Sequence, residues 1–407
     1  MHFVFLNQYY PPDEAPTGTM LKPVVEALAL RGHEVTVICS AGGYGKTAGT
    51  IPSPPPPCGE QSSATKVRVV RLRALQWGRR TFLGKLADYA SFYFGCAARL
   101  ATMRADRVVA LTTPPYLSVL ARLAARWRGG THAHWVMDLY PDVMAAHGML
   151  REDTLGYRLL SALARWGFGG GRSAGVLTLG PDMAERIGRL LGAGAREVAW
   201  IPLWETGGGP AGDDDVAELR SRRGWSDGEL VVMYSGNMGL GHRFEDLLEW
   251  ARRRSGKRCR LVFYGRGKRR GEIEDFLREH PGRLELHDYV SEEELAAHLR
   301  TADVHAVSLR PEWTGTMVPS KLQGVFSAGR PVLFIGDKAS SIGVWMLESG
   351  AGWVVEPGDA EALDAAMAQA GDPVLRTRMG EKARRFAAGH FDRTANVARV
   401  ADWLEGT

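Results

Sequence analysis

Short apolar runs alternate with helix-patterned stretches along most of this chain, and few folds accept that alternation. Residues 1–7 read as a strand, 17–31 as a helix and, after the turn at Gly32, Glu34–Cys39 as a second strand. Lys66–Leu72, Val108–Leu111 and His134–Asp138 continue the strands, with helices over 79–104 and Leu117–Arg128. Strands separated by helices pair in parallel, so the pattern predicts an α/β unit with helices on both faces of one sheet. Ligands of such sheets gather beyond the carboxyl ends of the strands. Asn7-Gln8-Tyr9-Tyr10, Thr112-Thr113-Pro114-Pro115 and Asp138-Leu139-Tyr140-Pro141 fall there. A second series follows Trp200-Ile201-Pro202-Leu203, past a surface connection marked by Gly207-Gly208-Gly209-Pro210 and Asp213-Asp214-Asp215. Leu230–Tyr234, Leu261–Tyr264, Leu284–Leu286, Val304–Leu309, Val332–Ile335 and Trp353–Val355 predict a sheet of five or six strands, with mostly helix from Ala360.

Length and charge narrow the setting. At 407 residues the chain exceeds one ordinary core and is read as two domains. Apolar residues at 45% and charged residues at 24% are globular proportions, and no apolar run is long enough to span a bilayer. Met1-His2-Phe3-Val4-Phe5-Leu6 lacks the basic start and the length of a signal peptide and reads as a buried strand. Cys39, Cys58, Cys96 and Cys259 are scattered, without CxxC or a histidine at metal-ligand spacing, which points to cytosolic thiols rather than a disulfide frame or zinc site. Basic residues outnumber acidic ones in the N-terminal half, and the balance reverses in the C-terminal half. The stretch 66–107 has ten basic residues against Asp88 and Asp106, interleaved with Trp77, Phe82, Leu83, Leu86, Tyr89, Phe92, Tyr93 and Phe94. That mixture suits the headgroup layer of an anionic membrane, and equally a core helix flanked by solvated charge. No helix-turn-helix, RRM or zinc-finger pattern accompanies it, so nucleic acid is not expected.

Three places carry candidate chemistry. Pro319 and Ser320 start a short helix with Lys321 in its first turn, and Gly329 and Pro331 stop it. The positive end of a helix disfavours a cation, so Lys321 makes most sense with an anion held there by free N–H groups and the ammonium together. Taken alone, a solvated surface lysine fits as well. Ser235-Gly236-Asn237-Met238-Gly239-Leu240-Gly241-His242 is a glycine-rich turn between a strand and a helix from about Phe244, where backbone N–H groups can approach a phosphate. Arg266, in Gly265-Arg266-Gly267-Lys268 after the next strand, has the fork geometry for a diphosphate, or is a plain turn arginine. Asp213–Asp215 reads as a solvated loop rather than a metal site.

The segments NQYYPPDEAPTG, ALRGHEVTVI, ALTTPP, DLYPD, YSGNMG, DYVSEEEL, VPSKLQGVFSAGRPV and ESGAGWVVEPGDAEAL occur in this order over nearly the whole chain. Together they resemble retaining glycosyltransferases of family 4, most of all the branch that builds O-antigen, capsule or colanic acid, often fucosyl- or N-acetylfucosaminyltransferases. The resemblance implies a GT-B fold, two Rossmann-like domains facing each other across a cleft. Residues 1–200 would form the acceptor domain, joined by a C-terminal helix over about 388–407, and 201–387 the nucleotide-sugar donor domain. It implies that Arg266 and Lys321 hold the donor diphosphate, with Gly236, Asn237, Gly239, Pro319, Ser320 and Gln323 around it and Tyr289 and Val290 at the base. Gly18 and Thr19 would face the phosphates and sugar, and Asp138 the reacting sugar or acceptor. No cofactor and no metal are expected, since two fixed cations can neutralise the departing diphosphate.

One departure stands out. Many family members carry two glutamates eight residues apart, and here Thr316 and Gly324 occupy those places. Gln323 can hydrogen-bond hydroxyls there without supplying charge, and Glu312 lies nearby. The expected activity is transfer of a sugar from a UDP-linked nucleotide donor to a lipid-linked or polysaccharide acceptor by a cytoplasmic enzyme peripheral on the inner face of the plasma membrane. A GDP-sugar-dependent transferase, a nucleotide-sugar-binding partner without turnover and an epimerase of the same fold are the alternatives.

Overall fold

A computed structural model describes residues 1–13, 15–41, 66–73, 82–192, 196–205, 212–226, 228–254 and 259–406. The Pro-rich loop, Cys58, Trp77, Arg79, Arg80, the Gly207–Pro210 connection and the side chains of Phe82 and Leu83 lie outside the described residues. The chain forms two compact units, 1–201 with 394–407, and 202–393. Among the described residues no helix is long and apolar enough to cross a membrane.

Unit 1 runs β1 (His2–Leu6), α1 (Pro16–Leu30), β2 (Glu34–Ser40), β3 (Val67–Leu72), α2 (Phe82–Thr102), β4 (Arg107–Ala110), α3 (Leu117–Arg128), β5 (Thr131–Trp135), α4 (Asp142–Ala146), α5 (Leu155–Phe168), β6 (Ser173–Thr178), α6 (Pro181–Leu191) and β7 (Ala199–Trp200). The parallel strands stand in the order β3-β2-β1-β4-β5-β6-β7. Central β1 is apolar at Phe3, Val4, Phe5 and Leu6, all with no exposed surface, because helices cover both of its sides. Chain order reverses at β1, between β2 and β4, so the residues after β1, β4 and β5 line the crevice edge of the sheet.

The strand expected at His134–Asp138 lies earlier, at Thr131–Trp135, and Asp138 falls three residues beyond it. The Thr131 N–H donates to Asp106 O at 2.9 Å, so pairing with β4 starts directly after Gly130. His132 and His134 then sit buried in the sheet, where periodicity would place polar side chains outside. Desolvation lowers both imidazoles, His132 to about 4, so they pack as neutral rings.

Unit 2 runs α7 (Asp213–Arg222), β8 (Leu230–Ser235), α8 (Glu245–Arg253), β9 (Cys259–Tyr264), α9 (Arg270–Glu279), β10 (Glu285–His287), α10 (Leu295–Thr301), β11 (Val304–Ser308), α11 (Lys321–Ser327), β12 (Val332–Ile335), α12 (Ser341–Ser349), β13 (Gly352–Val355), α13 (Ala360–Gln369) and α14 (Pro373–His390). The sheet order β10-β9-β8-β11-β12-β13 is the Rossmann order. Asp213–Asp215 are the first turn of α7 rather than a loop. Carboxylates suit a helix N-terminus, and Asp215 accepts the Gly212 N–H at 2.9 Å while Asp213 pairs with Arg300.

The last helix, α15 (Arg393–Gly406), belongs to unit 1 almost throughout. It buries Val397, Val400, Ala401 and Leu404 there. Arg31 pairs with Asp402 and Glu405 at 2.7 Å each, His33 contacts Glu405 at 2.6 Å, and Arg107 donates to Leu404 O.

Candidate active site

At the carboxyl edge of the second sheet, β8 and β9 end side by side, with Ser235 opposite Tyr264. Each runs into a turn opened by a glycine, Gly236 at φ +129° and Gly265 at φ +130°, a conformation that side chains strain. A Cβ on Gly265 would overlap the carbonyl oxygen of Gly236, so the turns lie backbone against backbone. The Gly236 N–H donates to Tyr264 O at 3.0 Å and the Met238 N–H to Arg266 O at 2.8 Å.

Lys321 reaches the same place from α11. Its stem crosses Gly236, where a Cβ would stand 2.7 Å from its Cε. The ammonium donates to Tyr234 OH at 2.8 Å, to Asn237 O at 3.1 Å and to His242 Nε2 at 2.7 Å. His242 donates from Nδ1 to Ser308 O at 2.7 Å, which leaves Nε2 free to accept, and Tyr234 OH donates to Asn237 O at 2.7 Å. Desolvation pulls Lys321 down to about 7, and desolvation together with the Lys321 charge holds His242 near 3. The expectation that the ammonium works beside the N–H groups of its own helix start is therefore revised. It turns onto the Gly236 turn, where Tyr234, Asn237 and His242 supply its acceptors.

Arg266 offers its fork to solvent, with the side chain 66% exposed. Asp288 accepts from its Nε at 3.0 Å and Nη2 at 2.8 Å, and shares the carboxylate with Arg270 at 2.9 Å. An exposed pair of this kind is weak, so phosphate oxygens can take the place of Asp288. The Arg266 carbonyl, bonded to Met238 N–H, also accepts from Tyr289 OH at 3.3 Å. One turn, Gly236–Gly239, thus carries Lys321 on Asn237 and Arg266 on Met238. Tyr289 is exposed beside it, and Val290 packs on the cluster of Trp225, Val231, Met233, Val262 and Tyr264. Gly239 stays close to the Asn237 amide.

Around α11, Pro319 is buried, Ser320 caps the helix without a side-chain bond, and Gln323 is 1% exposed with neither amide atom bonded. Thr316 donates its hydroxyl to Trp313 O at 2.8 Å, and a Cβ on Gly324 would stand 3.3 Å from Leu299 of α10. Thr316 and Gly324 are therefore both turned to packing. Glu312 is exposed beside Arg310, 3.6 Å away.

In unit 1, Asn7 donates to Tyr9 O at 2.7 Å and Thr17 Oγ1 at 3.2 Å, which fixes the start of α1 against the loop after β1. Gly18 is buried where a Cβ would stand 2.9 Å from Tyr9 O, and exposed Thr19 returns its hydroxyl to Ala15 O at 3.3 Å. Asp138 lines a small cavity of about 20 Å³ with Thr112, Tyr116, His134 and Tyr140. Desolvation raises its carboxyl to about 6. Thr112 Oγ1 and Tyr116 OH have no hydrogen-bond partner, so part of the cavity wall is polar and unsatisfied. The sequence reading put Thr112 and Tyr140 at the ligand edge of the sheet without a role, contained Asp288 in DYVSEEEL without a role, and gave no signal for Tyr116 or His134. Tyr234 and His242 stood inside and after YSGNMG but without a role.

Two Rossmann-ordered parallel sheets in two compact units give the chain the GT-B fold. The chain matches sucrose-phosphate synthase from Thermosynechococcus elongatus with a TM-score of 0.74 at 17% identity, covering 100% of this chain and 98% of that one. WaaG, a glycosyltransferase involved in lipopolysaccharide biosynthesis, and Anabaena Alr3699/HepE in complex with UDP-glucose each match with a TM-score of 0.68 over 100% of both chains, at 17% and 16% identity. Residues 17–204 match the glycosyl transferase 4-like domain and residues 229–372 the glycosyl transferases group 1 family; the chain is a glycosyltransferase that carries both domains. WcaI of Escherichia coli (strain K12), whose name assigns it to glycosyl transfer in colanic acid biosynthesis, is 25% identical over 407 residues, 96% of each chain. WbjE of Pseudomonas aeruginosa, named as a glycosyltransferase, is 24% identical over 361 residues, 88% of this chain and 86% of its own.

Proposed function

We propose that the protein is a retaining, metal-independent glycosyltransferase that moves a sugar from a UDP-sugar to a lipid-linked or polysaccharide acceptor in cell-surface polysaccharide biosynthesis. The observation that carries this reading is the assembly of Lys321 and Arg266 on the Gly236–Gly239 turn. UDP is favoured by the UDP-glucose complex of the similar HepE, and the biosynthetic setting by the names of WcaI and WaaG. Unit 2 is assigned the donor and unit 1 the acceptor.

In this reading the bond from the anomeric carbon to the diphosphate breaks with its electron pair going to the phosphate oxygen. The acceptor hydroxyl then bonds to the same face of the sugar, and its proton passes to the departing phosphate or to Asp138. Charge builds on the leaving group as the sugar becomes oxocarbenium-like, and fixed cations stabilise that state more than the bound donor. Lys321 supplies one, already desolvated and held by three acceptors. Arg266 supplies the second by exchanging Asp288 for phosphate oxygens. Tyr289 and Val290 are assigned to the base, and Gln323, buried with unbonded amide atoms, to a hydroxyl of ribose or sugar. The protein is assigned to the cytoplasmic side of an anionic membrane as a peripheral enzyme, with α2, where Leu86 and Phe94 are exposed, as one contact.

Thr316 and Gly324 in the glutamate positions favour one second reading, a donor-binding protein without turnover. Both are tested by following UDP and GDP release from candidate nucleotide-sugars with membrane extract as acceptor. Lys321→Ala and Arg266→Ala should each lower turnover at least about tenfold, or about 1.4 kcal/mol of transition-state stabilisation. Undiminished turnover in both variants removes the proposed site, and donor binding without release in the wild type favours the second reading.

A further inference from the structure

Six of the fifteen exposed large apolar side chains among the described residues lie on α3 and α5, two helices that pack together. Leu155, Leu159, Leu163 and Trp166 follow one another at four, four and three residues, so they share one face of α5. Leu123 and Trp127 are one turn apart on α3, with Trp127 82% exposed. A face this apolar on a soluble surface marks an interaction site.

The charge beside it identifies the partner. Neither α3 nor α5 contains an acidic residue, and together they bring Arg122, Arg126, Arg128, Arg158 and Arg165. A second copy docked face to face would set arginines against arginines with no carboxylate on these helices to answer them. A layer of phosphate over hydrocarbon answers both features at once, and tryptophan and arginine are the side chains that settle at that boundary.

Beside Trp166 lies a cavity of about 730 Å³, lined by Arg122, Arg165 and Arg196 and by the turn Gly169–Gly171. Arg122 stacks 4.2 Å over the Trp166 ring and donates to its carbonyl, while Arg196 donates to Ala174 O at 3.3 Å. The cavity sits where the chain enters β6 and β7, the amino edge of the first sheet. Asp138 follows β5 on the opposite, carboxyl edge, so this is a separate site.

We infer that the α3–α5 face rests on an anionic bilayer and that this arginine-lined cavity takes the phosphate of one phospholipid headgroup. Guanidinium forks pair with phosphate oxygens two at a time, and the Leu155–Trp166 stripe enters the level of the first acyl carbons. The surface goes beyond the contact assigned to α2, and it does not depend on the donor chemistry.

The test is sedimentation of the full chain, without nucleotide, with vesicles of phosphatidylcholine alone or of phosphatidylcholine mixed with phosphatidylglycerol. The protein should pellet with the mixed vesicles and stay in solution with the neutral ones. Arg165→Ser with Arg196→Ser should weaken partition by about fivefold for each charge, and Leu159→Ser with Leu163→Ser should abolish it, with the folded far-UV spectrum kept. As a second readout, bromine-labelled acyl chains should quench tryptophan emission in the wild type and lose that quenching in Trp127→Phe with Trp166→Phe. Equal binding to both vesicles, binding lost through Phe94→Ser on α2 but kept in the Leu159 and Leu163 variant, or a wild-type dimer that this variant splits would each overturn the inference. Nucleotide release is read separately, so failure of the transferase reading leaves this result standing, and the reverse.

Discussion

Lys321 and Asp138 are candidate site residues whose chemistry is changed by their surroundings. Desolvation takes Lys321 from an ordinary ammonium to about 7 and raises Asp138 to about 6, which brings both into the range where an enzyme works. Asp138 acts as a carboxylate, so its active form grows as pH rises through about 6. Lys321 acts as an ammonium, so its active form fades as pH rises through about 7. The profile of kcat/KM, which reports the free enzyme, should therefore be bell-shaped with its summit between those values. In kcat the basic limb should move to higher pH, because a bound diphosphate holds the ammonium charged. An acid limb that survives Asp138→Asn contradicts the role given to Asp138, and a flat basic side contradicts that of Lys321. Lys321 and Arg266 were legible as candidates because a cation at a helix start and a strand end is conspicuous. The partners of Lys321 were not: Tyr234 and His242 are residue types that usually fill cores, and only the fold brings Lys321 to them.

At the level of elements, the site depends on two turns touching through backbone alone. Gly265→Ala forces a Cβ into the Gly236 carbonyl at a positive φ, a strain of about 1–3 kcal/mol. The variant should melt earlier by that amount in denaturant titration and bind UDP more than tenfold more weakly. Wild-type melting and affinity would show that the turns do not need this contact. Glycine-rich turns after apolar strands were readable, as were β1, β2, β8 and β12, since runs such as Val332–Ile335 have few other uses. The span 142–200 was not. There α5 keeps an apolar stripe in solvent, which hides its helical pattern, and β6 carries Gly175 beside Trp403 of α15, a contact between residues far apart in sequence. The β5 shift has the same cause, because buried His132 and His134 look like surface residues until neighbouring strands are known.

For the whole molecule, the ordered motifs already implied two Rossmann-like units and a glycosyltransferase, and the sheet orders and family matches establish both. The same motifs implied which unit takes donor and which takes acceptor; what they do not convey is how the polar groups meet in space. The central claim is that unit 2 grips a nucleoside diphosphate between Lys321 and Arg266. Thermal melting with UDP, GDP, ADP or dTDP tests it most directly, since a ligand at 100 times its dissociation constant stabilises by about 2.7 kcal/mol. UDP should raise the melting temperature of the wild type most, and the Lys321→Ala/Arg266→Ala double variant should melt without any nucleotide response. An equal UDP shift in the double variant, or no shift in the wild type with any of the four, would contradict the account.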